Sequence, residues 1–448
     1  MSLTQSTRQL FVRARAAVLA PLGDETARQL IVVFGGQVGG LVLGLASSAM
    51  LARGLGPANL SVFSVAGAAV IIAITISDFG LSISAVRSIA GRASGQPEQA
   101  QATAGMFAQL KTAGALLVFV LCLLLARPIA ALLDLPAGSG AFYFRVASLG
   151  IMATALAGVT SVILRALRRF RPLTLTQLLR AGLIVLLTGA LFFTGRLGVT
   201  TGLLVGTVAT LIVAGVSVFL LAPDWRRALV ARQSLQGPHN RELLAFSRWM
   251  WVSTLFSVLL SQLDLLVLNR LMPAVAVGIY ALALNLAFKA DIVNQTLHTV
   301  LLPTASALPV EDLTAYRAYL RRNLGRSALL ALGMVVLLPL ARPFIVTVYG
   351  AAYASSVSAF YALMAVVIFD LFTIPFLLLA FPMNMPRTIV AADIAGIAAL
   401  AATAAWLIPA WGIYGAVAAR LAGKVAGALI LGSAVAVRLR HQSRTGGS

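Results

Sequence analysis

Polar chemistry is scarce in this chain: of 448 residues 10% are charged, 13 are acidic, three are histidine and one is cysteine. Each shortage removes a class of function. The lone Cys122 lies in an apolar run, so neither an intrachain disulfide framework nor a thiolate metal cluster can form, and it reads as a small core residue. His239, His298 and His441 are scattered, and no His/Cys/carboxylate cluster has metal-ligand spacing. A Gly-rich phosphate loop with its Lys is lacking, and so is a Ser elbow. A membrane glycosyltransferase calls for acidic residues in a sizeable outer loop, whereas the connection from Arg53 to Asn59 has none. The longest outer connection, about 14 residues, is too short for a lipid-linked-sugar polymerase or ligase. The chain therefore reads as no enzyme and calls for no cofactor or metal.

What is present is hydrocarbon. With 60% hydrophobic residues and a mean hydropathy of +0.95, the chain has too little polar surface to cover a water-soluble globule. Apolar runs long enough to span a bilayer centre on 29–51, 60–85, 104–126, 141–164, 173–194, 199–222, 246–269, 276–302, 325–347, 355–381, 388–409 and 412–436. The expected fold is thus an all-α polytopic membrane protein of about twelve transmembrane helices. No cleavable signal pattern opens the chain, so the first span is expected to direct its own insertion. The net charge of +21 is a matter of placement. Twenty-four of the 34 basic residues fall in the N-terminal segment, the even-numbered connections and the tail; among them are Arg87, Arg92, the group Arg165, Arg168, Arg169, Arg171 and Arg180, and Arg226, Arg227 and Arg248. Six (Arg53, Arg127, Arg145, Arg196, Arg270 and Arg342) fall in the odd-numbered connections. The excess marks the cytoplasmic side and predicts a multi-pass protein of the bacterial inner membrane with both termini cytoplasmic. Basic residues spread over seven segments without interleaved aromatics do not read as a nucleic-acid surface.

The longest polar break divides the chain into halves. We expect a cytoplasmic amphipathic segment at 1–28, a six-helix bundle at 29–222, a cytoplasmic linker at 223–245, a second six-helix bundle at 246–437 and a tail at 438–448. A shift of 217 positions brings Leu51, Arg53, Phe63 and Ala66 onto Leu268, Arg270, Tyr280 and Ala283, with Pro57 and Pro273 one residue out of register. Two pseudo-symmetric bundles related by an axis along the membrane normal place substrate at their interface, in a central cavity.

Ionisable groups inside the membrane are costly unless paired or wet, and each is a functional candidate. In the eighth span, Asn285, Lys289 and Thr296 fall on one helical face and Asp291, Asn294, Gln295 and His298 on the opposite one, so the helix should line an aqueous cavity. Arg420 and Lys424 form an i, i+4 pair in the twelfth span, which repels unless an anion or carboxylate intervenes. Asp78, Asp264, Asp291, Asp370 and Asp393 are the acidic candidates. Two readings stand: structural pairs, such as Lys289 with Asp264 or Asp370, or a cationic cavity for a diphosphate with a carboxylate that binds a coupling ion. Gly35, Gly36, Gly39, Gly40 and Gly44 form a strip in the first span that suits close helix packing.

Several stretches resemble one family: Leu51-Ala52-Arg53-Gly54-Leu55-Gly56-Pro57, Asp78-Phe79-Gly80-Leu81, Gln262-Leu263-Asp264 running to Arg270, Val277-Gly278-Ile279-Tyr280, Tyr349-Gly350-Ala351-Ala352-Tyr353, and Trp411-Gly412-Ile413-Tyr414-Gly415. The chain is thereby similar to the polysaccharide-unit (Wzx-type) flippases of the multidrug/oligosaccharidyl-lipid/polysaccharide exporter superfamily, which serve O-antigen and exopolysaccharide export. The resemblance implies alternating access between two bundles, a polyprenyl-diphosphate-linked oligosaccharide as cargo, H⁺ or Na⁺ coupling as in an antiporter, and polysaccharide polymerase and export machinery as candidate partners beside membrane lipid. Arg53, Asp264 and Arg270 match the family pattern. Lys289, Arg420 and Lys424 are substrate-binding candidates from position alone, as are Asn285, Asn294 and Gln295 for cavity lining and Asp264, Asp291, Asp78 and Asp370 for ion coupling or gating. The alternatives are a multidrug/cation antiporter, which should favour a net-negative lining, and a lipid II flippase. Absence of a carboxylate from the first span argues against the former, and room for about twelve helices against the latter.

Overall fold

The computed structural model describes residues 25–93, 95–231, 238–306, 308, 313–380, 383 and 385–445; the segment expected to be an amphipathic N-terminus lies mostly outside them. Among the described residues every regular element is helical: α1 (Glu25–Asp78), α2 (Leu81–Arg92), α3 (Pro97–Leu124), α4 (Ala126–Leu132), α5 (Gly140–Ala166), α6 (Phe170–Phe193), α7 (Val199–Phe219), α8 (Pro223–Val230), α9 (Pro238–Leu271), α10 (Ala274–Ala290), α11 (Ile292–Ser306), α12 (Leu313–Leu337), α13 (Ala341–Tyr349), α14 (Ser356–Leu379), α15 (Pro386–Trp411) and α16 (Ile413–Thr445). Among the described residues eleven helical stretches are long and apolar enough to cross a membrane. The first, 44 residues from Gly35 to Asp78, would extend about 66 Å at 1.5 Å per residue, twice a hydrocarbon core. It is broken at Gly56, whose φ of 69° and ψ of 170° are non-helical and which Pro57 follows. The two arms of α1 are therefore separate crossings, which makes twelve among the described residues.

The halves repeat each other in their irregularities as well as in their helices. The second crossing of each breaks at an aspartate: α1 ends at Asp78, with Phe79 and Gly80 at positive φ before α2, and α10 gives way to α11 at Asp291. The third crossing of each is followed by a short helix that begins Ala-Arg-Pro, at Ala126 in α4 and at Ala341 in α13. The interval 223–245 contains α8 and the first turns of α9, and α16 continues through the expected tail to Thr445.

Packing joins the halves at one end. A large buried cluster near the Gly56 end draws on both, from Ala52, Leu55 and Phe144 to Tyr280, Tyr349 and Ile408. Towards the Gly80 end it gives way to separate clusters, one around Phe107 and Ile163 and another around Tyr316, Tyr319 and Leu371. Cys122 is buried in the shared cluster, as a core residue should be.

Candidate functional site

At the Gly56 end the halves meet through side chains that reach backbone carbonyls. Tyr353 donates to Ala52 O at 2.9 Å, and the Ser48 and Tyr349 hydroxyls lie 2.9 Å apart, so two rungs one helical turn apart tie α13 and the turn after it to the first arm of α1. Burial pushes the Tyr353 phenol up, keeping it a donor. Arg53 donates to Thr347 O, Asn269 to Leu133 O at 2.6 Å and Arg270 to Leu132 O at 3.2 Å. Gly278 lies so close to Pro57 that a Cβ there would fall 1.8 Å from the carbonyl oxygen. Arg53 and Arg270, expected to bind substrate, are thus placed in this closure. At the opposite end Phe79 stacks on Trp251 with ring centroids 5.7 Å apart, and Gly80 abuts the backbone of Ser247 and Trp251.

The aspartates sort into three environments. In the first half Asp78 accepts from Lys111, and from the Ser82 hydroxyl at 2.6 Å. In the second, Asp264 is fully buried and held by three donors: Arg420 forks onto both its oxygens at 2.7 and 3.0 Å, and the Tyr280 hydroxyl donates to the same carboxylate. One turn along α16, Lys424 donates to Asp370 at 2.8 Å. The cations of the i, i+4 pair therefore each carry their own carboxylate, which relieves their repulsion. The expected pairing of Lys289 with Asp264 or Asp370 does not form; Lys289 donates to Asn285 within α10 and faces Gly44 of α1.

A cavity of about 440 Å³ opens inside the second half, lined by Asp291, Gln295, His298, Asp370, Asp393 and Lys424, with a neighbouring one of about 310 Å³ that reaches Arg420. Three carboxylates face one ammonium in the first, so its lining is net negative. Asn294 donates to Asp291 at 2.7 Å and to Val367 O at 3.0 Å, and its own Oδ1, buried, has no partner. The break at Asp291 separates the polar residues of the eighth span: Asn285 and Lys289 precede it and look towards α1, Asn294, Gln295 and His298 follow it and line the cavity, and Thr296, expected beside Lys289, also follows it and donates to Ile292 O. The glycine strip divides too. Gly36 and Gly39 pack on Thr174 and Leu178 of α6, Gly44 faces Lys289, and Gly35 and Gly40 have no atom within 4 Å of an added Cβ.

One cation was misplaced by sequence reasoning. Arg180, counted with the fourth connection, lies in the body of α6 and donates to Thr210 of α7 at 3.0 Å. Its signal was available, since it falls well inside the apolar run that starts at 173.

The family described as polysaccharide biosynthesis protein matches residues 26–308, and no curated protein matches the chain. Among solved structures, the chain is similar to an inward-facing multidrug resistance MATE family transporter of the MOP superfamily, at 15% identity over 90% of this chain and 96% of that one with a TM-score of 0.71. It is similar to the lipid II flippase MurJ in an inward closed conformation, at 15% identity over 93% and 89% with a TM-score of 0.71. It is also similar to a MOP superfamily transporter from Pyrococcus furiosus Vc1 (DSM3638), described by a reverse polarity of its binding pocket, at 16% identity over 93% and 94% with a TM-score of 0.59. At such identities the likeness establishes the fold alone.

Proposed function

Since the match covers more than half of its length, the chain belongs to the polysaccharide biosynthesis protein family, and from this premise we propose that it flips a polyprenyl-diphosphate-linked oligosaccharide across the bacterial inner membrane by alternating access. The observation that carries the reading is the division of labour around Asp291. Before the break, Lys289 and Asn285 face the first half, where an anionic headgroup between the bundles would meet an ammonium that has no carboxylate of its own. After the break, the carboxylate cavity lies within the second half and is suited to a coupling H⁺ or Na⁺. The polyprenyl tail stays in lipid, and the termini and basic loops face the cytoplasm. Asp264, saturated by Arg420 and Tyr280, pins α9, α10 and α16 together; Asp291 and Asp393, which form no ion pair among the described residues, are the carboxylates that can change occupancy, with Asp370 held by Lys424 beside them.

The net-negative cavity also favours a second reading, export of an organic cation. Both are tested in proteoliposomes containing the full chain. Fluorescent lipid-linked oligosaccharide should become accessible to an external enzyme faster with protein than without, and an imposed H⁺ or Na⁺ gradient should accelerate it. Gradient-driven efflux of a cationic dye with no movement of the lipid-linked sugar would replace this function by antiport. Movement of lipid II alone would place the chain with peptidoglycan precursors.

A further inference from the structure

The third crossing of the second half, α12, is basic where its first-half counterpart is not. Aligning the two Ala-Arg-Pro helices at Ala126 and Ala341 sets Arg317, Arg321, Arg322 and Arg326 of α12 against Ala102, Met106, Phe107 and Lys111 of α3. Met106 and Phe107 are buried, and Lys111 is buried against Asp78. All four arginines of α12 are exposed, and none forms an ion pair among the described residues; Arg326 donates to the Asn323 amide oxygen at 3.1 Å. The shared fold therefore does not require them. Charge that only sets orientation needs to lie on that side, at no particular helical face.

These four keep to one face. Tyr316, Tyr319, Asn323 and Ser327 form the buried side of α12, and Ser327 donates to Leu371 O of α14 at 2.7 Å. On the opposite side Leu329, Leu332 and Val336 are each more than half exposed, an apolar stripe suited to lipid chains. At 100° per residue, Arg321 and Arg322 lie about 50° to either side of the centre of that stripe, and Arg317 and Arg326 about 90° to either side. Ala318 and Gly325 fall on the centre line between them, and an added Cβ at Gly325 would meet no atom within 4 Å. The helix surface is thus a shallow channel with small residues on its floor and two arginines on each bank. One turn beyond Gly325 the apolar stripe begins at Leu329.

We infer that this channel binds an anionic phospholipid of the expected cytoplasmic leaflet, its phosphodiester between the arginine banks and its acyl chains along Leu329, Leu332 and Val336. Clusters of four or more basic residues beside a membrane span attract anionic headgroups, and guanidinium forks match pairs of phosphate oxygens. A zwitterionic headgroup would bring its own cation into a channel that already holds four, so the site selects by charge. The inference goes beyond the transport reading, because the ligand is a resident lipid and not the cargo. Its occupant ties the open side of α12 to the bilayer, while the buried side ties it to α14.

Native mass spectrometry of the full chain, released from micelles holding equal amounts of phosphatidylglycerol and phosphatidylcholine, counts the lipids that each protein retains. The parent should keep phosphatidylglycerol in preference. Each arginine removed should weaken that lipid about fivefold, so Arg321→Gln with Arg322→Gln should lower its affinity about 25-fold and leave phosphatidylcholine unchanged. Changing both to Lys should preserve most of the preference, since the charge stays and only the fork is lost. Arg165→Gln with Arg168→Gln, at two exposed positions of the first half, should behave as the parent. Full phosphatidylglycerol preference in an Arg321→Gln, Arg322→Gln protein of unchanged unfolding temperature overturns the proposal. So does an equal loss in the Arg165→Gln, Arg168→Gln protein, which would reduce the effect to general surface charge. Equal loss of both lipids with a lower unfolding temperature would make the arginines structural and overturn it as well. Displacement of phosphatidylglycerol from the parent by an equal amount of undecaprenyl diphosphate would turn the channel into an entry point for cargo, and the resident-lipid site would fall.

Discussion

Removing the guanidinium of Arg420 leaves the Asp264 carboxylate fully buried with one neutral donor, the Tyr280 hydroxyl, where it now has three contacts. Breaking a buried pair from one side typically costs about 3–5 kcal/mol, because the remaining charge is stranded, whereas replacing both partners by apolar groups is close to neutral. Arg420→Met should therefore destabilise the second half by about 3–5 kcal/mol, and Asp264→Leu combined with Arg420→Met should recover most of that loss. Tyr280→Phe removes one bond to a charged acceptor and should cost about 1.5–3 kcal/mol. Arg420→Lys keeps the charge but loses the fork onto both oxygens, and should fall between the parent and Arg420→Met. Reversible unfolding in mixed micelles, run as a double-mutant cycle, measures the coupling. Additive single and double variants would refute the reasoning, since independent sites do not rescue each other. The cycle also bears on coupling: a carboxylate that serves only as a pin should leave the gradient response intact in any variant that still folds.

At the Gly56 end, Gly278→Ala places a Cβ 1.8 Å from Pro57 O and should force the halves apart there, raising the labelling of Ser48→Cys in a Cys122→Ala background by an external maleimide; unchanged labelling would count against that closure. Gly80→Ala puts a side chain at a φ of 67° and 2.3 Å from Ser247 O, so it should open the opposite end, at a backbone cost of about 1–2 kcal/mol, and quicken cysteine labelling there. Lys424→Met leaves Asp370 without its ammonium and should slow gradient-driven transport far more than it lowers the unfolding temperature, as vesicle flux beside thermal melting would show.

The twelve crossings were legible because their signal is local: apolar length and loop charge need no tertiary contact. The repeat was legible only faintly, since it survives in irregularities, the two aspartate breaks and the two Ala-Arg-Pro helices, more than in matched side chains. Partners of the buried charges were not legible. Asp264 lies 156 positions from Arg420 and Asp370 lies 54 from Lys424, and α16 presents both cations one turn apart, so spacing on one helix could suggest repulsion but not its relief. Arg180 was missed because counting charge by connection assigns every arginine near a helix start to the loop, whereas depth within the apolar run decides whether it lies in the membrane.

The strengths of these contacts separate what holds each half together from what lets the halves move. Inside the second half, Asp264, Arg420 and Tyr280 form a saturated buried cluster whose disruption costs about 3–5 kcal/mol and which ordinary fluctuations leave intact. Between the halves at the Gly56 end, the polar contacts involve Tyr353, Ser48 with Tyr349, Arg53, Asn269 and Arg270, and four of the five acceptors are backbone carbonyls. Water can replace each at a net loss of about 1 kcal/mol, so the polar bonds contribute roughly 5 kcal/mol there, beside the apolar packing of the shared cluster. Taking a two-state equilibrium from 1:99 to 99:1 needs about 5.5 kcal/mol of differential binding. The polar part of this closure is comparable to what one ligand bound between the bundles, or one ion entering the Asp291 cavity, could offset, whereas buried ion pairs at about 3–5 kcal/mol each would exceed it. The chain thus places its saturated pairs within the halves and its replaceable bonds between them, which is the distribution that rigid-body alternation of two bundles requires.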